Sequence, residues 1–407
     1  MVVLTLLALL VFGPALAVSS AHAQTVVSTV QVGPSPYALV YDSAKGEVFV
    51  ANSGGAVSVI SDATNKVVAN VSAGAAANSI VYDPAKGEVF VDSLPEAVYV
   101  ISDSTNKVIT TVQVGYTPYG MAYDSGKGEI FVGSDTSDTV SVISDATNKV
   151  VDTINLPAGA DPHDMAYDAA RGEVFVDDEG LGAVSVISDG SDAIVATVTV
   201  GSSPNGAVYD SAKGEVFVTN GVSENVSVIS DATNKVVATV DLGGASNGAA
   251  YDPADGQVIV AVPGSDGVSL ISDGTNKVVA SVTLAPGRTP ADAVYDSGKG
   301  EIFTANEADA TVSVISASSS SVSTSTATSP TSTVNSTAPA SNSTTASSGT
   351  PQSSTATTQT STSSSSGSGV PELPYQFALA AVFTALLAAS YLLIRRRTAP
   401  AGRSGRL

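Results

Sequence analysis

A Tyr-Asp pair recurs seven times, at Tyr41, Tyr82, Tyr123, Tyr167, Tyr209, Tyr251 and Tyr295, at intervals of 41, 41, 44, 42, 42 and 44 residues. A period of this length restricts the chain to a solenoid or a propeller, because each unit can bury its apolar faces only against its neighbours. The first period reads PYALVYD, a turn SAKG, EVFVAN, a variable loop, AVSVIS, a turn DATN, and KVVANVSAG. Each apolar run is five to eight residues, rich in Val, Ile, Phe and Tyr and bounded by turn formers, with no helical period anywhere in it. Four strands per period is the content of a propeller blade.

The ends of the array decide between an open stack and a closed ring. Six copies of the fourth strand follow blades one to six, but none follows Val314-Ile315-Ser316. The missing copy stands at the other end, where Gln24 to Gly33 aligns with Lys235 to Gly243. An N-terminal strand that completes the last blade closes the circle and removes the exposed sheet edges of an open stack. The expected fold class is therefore all-β, a seven-bladed β-propeller of four-stranded blades over residues 24 to 316.

The repeats resemble a known family. FVAN at Phe49 to Asn52, FVTN at Phe217 to Asn220, and the frame P-x-x-x-x-YD, KGEVFV, VSVIS, NKVVATV-x-VG are similar to the YVTN repeat of β-propellers common on archaeal cell surfaces. The resemblance spans about seven tenths of the chain. It implies a secreted propeller with adhesive or other surface roles, in a family seldom assigned a chemical activity. Blade six departs from the frame: Asp255 replaces the usual Lys, Gln257 the Glu, and Ala261-Val262-Pro263 the Asn turn. A propeller of the Trp-Asp type does not fit, because the chain has no Trp.

Charge narrows the partners. Among 407 residues there are 38 Asp and Glu against 17 Lys and Arg, a net charge of -21, and residues 24 to 316 alone hold 37 acidic and 12 basic groups. Phosphate would be repelled by that domain, so nucleic acid is excluded as a partner, and cations or basic surfaces fit better. The absence of Cys rules out a disulfide scaffold, a thiolate metal site and a Cys nucleophile.

The flanking segments give the expected topology. Residues 1 to 23 carry an apolar run and two small-x-small cleavage candidates, as in a secretory signal peptide. Residues 317 to 370 form a stalk, with 35 Ser and Thr in the 53 positions from 317 to 369 and no charge, a composition expected to stay disordered. Within residues 371 to 397, Phe377 to Ile394 is an uncharged apolar run followed by Arg395-Arg396-Arg397, which reads as one transmembrane helix. The positive-inside rule puts the tail, 398 to 407, in the cytoplasm and the propeller outside. Val370 to Pro374 also resembles the Pro-Glu C-terminal sorting signals of archaeal surface proteins, in which the span is removed and replaced by a lipid. N-glycosylation sequons start at Asn70, Asn225, Asn335 and Asn342.

Candidate site residues come from variation among the copies. The DSAKGE-type and DATNK-type turns of one rim are nearly uniform, which fold requirements alone explain. The other rim varies: four residues before each Tyr-Asp stand Tyr37, Asn78, Tyr119, His163, Asn205, Asn247 and Ala291, and the next positions include Asp164 and Asp292. Tyr37, Asn78, Tyr119, His163, Asp164, Asn205, Asn247 and Asp292 form the candidate ligand-binding ring, against the plainer alternative of a water-filled channel mouth. The expected function is non-enzymatic display or binding at the cell surface: adhesion, surface-layer structure or capture of surface proteins or glycans. The alternative is a propeller hydrolase or lyase with His163 as base beside Asp164 or Asp292, with Arg288 as its one candidate channel cation. No cofactor is expected. His163 with two Asp could ligate a divalent ion, but three protein ligands are usual for a transition metal; Ca²⁺ is better suited, held by acidic loops at Asp135 to Asp138 and Asp177-Asp178-Glu179, although no EF-hand spacing is present.

Overall fold

A computed structural model describes residues 24–316, which form seven four-stranded antiparallel sheets. Blade one is built from Pro36–Asp42, Glu47–Asn52, Ala56–Ser61 and Lys66–Ser72, hydrogen-bonded in that order, and the pattern repeats in each blade. The segments expected as leader, stalk, span and tail lie outside the described residues, as do the sequons at Asn335 and Asn342. Among the described residues no helix is long and apolar enough to cross a membrane.

Closure occurs where the repeats predict it. Val26–Gln31 pairs antiparallel with Thr311–Ser316, so the strand order of blade seven runs from the N-terminal strand back to Pro290–Asp296. Side chains clasp the same seam: Gln31 Nε2 donates to the Ala310 carbonyl at 2.7 Å and Arg288 Nη1 to Ser313 Oγ at 2.7 Å and Thr29 Oγ1 at 3.2 Å.

The alternation of side chains explains the packing. In Glu47–Asn52 every residue after the first is buried, because both faces of the sheet are covered by neighbouring blades. Phe49 and Ala51 pack toward blade two with Tyr82, Val89 and Val91, while Val48 and Val50 pack toward blade seven with Phe303 and Val314. The fully buried Phe49, Phe90, Phe131, Phe175, Phe217 and Phe303 occupy the same position in six blades, with Ile259 in the seventh. The outer strands are mostly exposed, with one buried residue near the end of each, and each has a bulge at one residue: Val27, Val68, Ile109, Val151, Val195, Val237 or Val279. Such a bulge twists an edge strand and hinders pairing with another chain's edge, and Lys at the start of five of these strands acts the same way.

The uniform rim is a ring of turns and latches. In every blade the Asp of Tyr-Asp is buried, and its Oδ1 accepts the backbone N–H two residues on, as Asp42 does from Ala44 at 2.9 Å. Gly46 and its six counterparts close these turns at φ between 60° and 70°, which an L side chain rarely adopts. The basic residue before that glycine reaches the next blade: Lys45 Nζ lies 3.4 Å from Asp103 Oδ1, and Arg171 Nε lies 3.6 Å from Asp231 Oδ1. Blade six, where Asp255 replaces the Lys, lacks this link, and the sequence has Ala317 where the partner Asp of blade seven would stand.

Blade six keeps its sheet. Its first strand is shortened to Ala249–Asp252, as is that of blade two to Ile80–Asp83. These are the two blades in which the Pro of P-x-x-x-x-YD is missing, replaced by Ala77 and Ser246.

Candidate functional site

The first strand of each blade approaches the central axis, and the variable rim opens there into one cavity of about 330 Å³. Tyr37, Asn78, Tyr119, His163, Asp164, Asn205, Asn247 and Asp292 all line it. Each is half-buried: enclosed by protein on most sides and open to the mouth.

One side of the mouth is aromatic. The Tyr37 and Tyr119 rings meet edge to face with centroids 5.9 Å apart, and Tyr119 lies 4.2 Å from the His163 ring at 45°. Gly120 makes this contact possible: it sits at φ 69°, and a Cβ there would come within 2.2 Å of the His163 carbonyl oxygen. Burial pushes the Tyr37 hydroxyl up to about 12 and that of Tyr119 further still, so both remain O–H donors at neutral pH. Burial also lowers His163 to about 4, leaving a neutral imidazole whose Nδ1 has no hydrogen-bond partner.

The other side is amide. Asn205 Nδ2 donates to Asn247 Oδ1 at 2.7 Å and to the Ser246 carbonyl at 3.0 Å, while Asn205 Oδ1 accepts from Thr219 Oγ1 at 3.1 Å. Asn78 Oδ1 accepts from Ser53 Oγ at 2.9 Å. The Nδ2 groups of Asn78 and Asn247 donate to no described residue and remain available to a ligand.

Two carboxyl groups sit one position further along their strands, and each bridges to the following blade. Asp164 Oδ2 accepts the Ala207 N–H at 3.0 Å, and Asp292 Oδ2 accepts the Leu39 N–H at 2.9 Å. Glycines make room beside them, since a Cβ at Gly248 would stand 2.2 Å from Asp292 Oδ1. Burial raises Asp164 to about 6 and Asp292 to about 7, against the opposing effect of the backbone N–H groups.

Three further residues support the ring from the fifth position of the second strands. There Asp92 and Asp177 are fully buried and Thr219 replaces them in blade five. Asp92 Oδ1 accepts the N–H groups of Asn78 at 2.7 Å and Ser79 at 2.8 Å, fixing the backbone where blade two lacks its Pro. Neither oxygen of Asp177 has a side-chain partner, and burial first, then Asp164, holds its carboxyl well above the usual range. Sequence reading missed Asp92; the signal was an Asp where the equivalent positions are Ala51, Gly133, Ala261 and Ala305.

Two expectations are corrected. Asp177 and Asp178 were expected in an open acidic loop suited to Ca²⁺, but they end the strand Glu173–Asp178 and are fully buried, Asp178 Oδ2 accepting from Ser185 Oγ at 2.7 Å. In the other acidic loop Asp138 is occupied as a cap, accepting the Gly159 N–H at 2.8 Å and that of Asp161 at 3.1 Å. Among the described residues no three His, Asp or Glu side chains gather closely enough to hold a metal ion. Arg288, expected as a candidate channel cation, instead clasps the closing seam and pairs with Asp309 at 3.3 Å. The His163 base lacks a carboxylate orienter: no Asp or Glu hydrogen-bonds to its ring among the described residues. The propeller sequons differ in accessibility. Asn70 is exposed on an outer strand and Asn225 is half-buried, while the Oδ1 of each accepts a side-chain hydrogen bond, from Ser58 Oγ at 2.9 Å and from Asn220 Nδ2 at 3.0 Å.

No protein-family model matches the chain, and no curated protein matches it. Among solved structures it is similar to the Kuenenia stuttgartiensis hydrazine synthase, with a TM-score of 0.64 at 18% identity over 70% of this chain and 96% of that one. At that identity the likeness carries the propeller fold and nothing of the activity.

Proposed function

We propose that the chain is a non-enzymatic cell-surface protein of the YVTN-like, archaeal type, whose propeller captures a surface protein or glycan at the cavity of its variable rim. The observation that carries this reading is the division between the rims. One is built of repeated turns and inter-blade latches, while the eight residues that differ between copies surround one cavity. A fold requirement acts equally on all seven copies, whereas an asymmetric ligand needs them to differ. The sequence order of leader, propeller, Ser and Thr stalk, apolar span and Arg cluster supports display outside the membrane, with Asn70 open to glycosylation. Among the described residues no Asp or Glu hydrogen-bonds to the His163 ring, which supports binding over hydrolysis by a carboxylate-oriented His.

The test applies full-length protein to arrays of glycans and peptides, alongside a Tyr37→Ala, Tyr119→Ala, His163→Ala variant that retains its unfolding midpoint. Retained ligands should bind the variant at least about tenfold more weakly, the loss of one buried aromatic contact or more. Equal binding by both proteins would remove the rim from the account. Protease treatment of intact cells should release the propeller, and resistance there but not in lysed cells would refute surface display.

A further inference from the structure

We infer that the rim cavity takes a compact organic cation, an alkylammonium or guanidinium group, held between the Tyr37 and Tyr119 rings and the carboxyl groups of Asp164 and Asp292. The inference deepens the capture reading and rests on it. The first argument is the distribution of charge. None of the residues lining the cavity is Lys or Arg. All twelve basic residues of the domain lie elsewhere: on the glycine turns of the uniform rim, at the starts of outer strands, or at Arg288 on the seam. Asp164 in blade four and Asp292 in blade seven thus face the cavity with only backbone N–H groups as partners. Burial raises both carboxyl groups, and a positive guest would favour their ionised forms, which an anion would oppose.

The second argument is the aromatic wall, which is independent of the acids. A cation near a Tyr ring is attracted by its quadrupole, more strongly when water is excluded, and the Tyr37 and Tyr119 rings both line the cavity. His163 does not fill the role of the cation itself, because burial keeps it neutral. The Nδ2 groups of Asn78 and Asn247 add polar contacts for the remainder of a ligand. The third argument is spacing. Asp164 stands in blade four and Asp292 in blade seven, and among the described residues no three His, Asp or Glu gather as metal ligands do, so an organic cation fits better than a bare metal ion. A volume of about 330 Å³ suits such a guest and lies at the small end of the range for small-molecule sites. A neutral sugar could use the rings and amides, but would gain nothing from ionisation of the two carboxyl groups.

The test is calorimetric titration of full-length protein at low salt with choline, with its uncharged isostere 3,3-dimethyl-1-butanol, and with agmatine. Choline or agmatine should bind at least about tenfold more tightly than the isostere, and more weakly as salt rises. Asp164→Asn and Asp292→Asn each keep an oxygen for the Ala207 or Leu39 N–H, so the fold should persist while cation affinity falls about tenfold or more. Equal affinity for the isostere, or unchanged affinity in both variants at an unchanged unfolding midpoint, overturns the inference. A short peptide with one arginine, bound as tightly as agmatine, assigns the cation to a protein partner's side chain; agmatine binding alone assigns it to a free amine. If no cation binds but array ligands are lost in the triple aromatic variant, the inference falls and the capture reading stands. If the arrays too are indifferent to that variant, the capture reading falls as well.

Discussion

Asp92 should make the propeller less stable as pH rises, and replacing it with Asn should remove that share of the slope. Its carboxyl is fully buried, accepts two backbone N–H groups through Oδ1, and leaves Oδ2 without a partner. Burial raises it from an ordinary 3.8 to about 7, opposed by backbone N–H groups including its own. The folded state therefore holds a proton that the unfolded state has lost between about pH 4 and pH 7. The unfolded chain binds fewer protons in that window, so stability falls as pH rises through it. From pH 5 to pH 8 the titration spans roughly two pH units of that difference, or about 3 kcal/mol at 1.36 kcal/mol per unit. In Asp92→Asn the Asn Oδ1 keeps both N–H groups, and its Nδ2 is as unpartnered as Oδ2 was, a cost that does not vary with pH. The assay is urea unfolding of both proteins at pH 5 and pH 8. The variant should lose about 3 kcal/mol less than the parent between the two conditions. Other titrating groups, His163 included, are common to both proteins and cancel. Equal pH slopes would show that Asp92 stays ionised in the folded state and would refute the reasoning.

Three further outcomes follow from the packing. Phe217→Ala removes a fully buried ring between blades and should cost about 3–5 kcal/mol in chemical unfolding. Lys45→Ala breaks an inter-blade ion pair that stands partly in water and should cost less than about 1 kcal/mol by the same measurement. Gly120→Ala places a Cβ against the His163 carbonyl at a left-handed backbone position; it should lower stability by about 1–3 kcal/mol and weaken rim binding by displacing Tyr119.

The ring was legible because its information is local and repeated. Each blade announces four strands and their turns within about 42 residues, and one displaced strand at Gln24 to Gly33 states how the circle closes. The candidate ring was legible for the converse reason, as variation at one position of a constant frame. Interactions between blades left a fainter trace. The pairing of Lys45 with Asp103 joins residues more than one period apart, and uniformity at those positions looks the same whether a residue closes a turn or latches a neighbour. Blade six illustrates it: Asp255 reads as a loop irregularity until its position is seen to be the latch, with Ala317 in place of the partner. Asp177-Asp178 misled because consecutive acids suggest solvent, whereas a strand covered on both faces buries two successive side chains. Arg288 misled because a lone basic residue near the axis in sequence lies at the seam in space.

The claim that the variable rim is the working face is tested most directly by paired block variants measured against one retained ligand. One protein carries Tyr37→Ala, Tyr119→Ala and His163→Ala; the other carries Lys45→Ala, Lys86→Ala and Lys213→Ala on the uniform rim. With both folded, the first should lose at least about tenfold in affinity and the second should bind as the parent does. Loss in the second with full binding in the first would place the working face on the opposite rim and contradict the account.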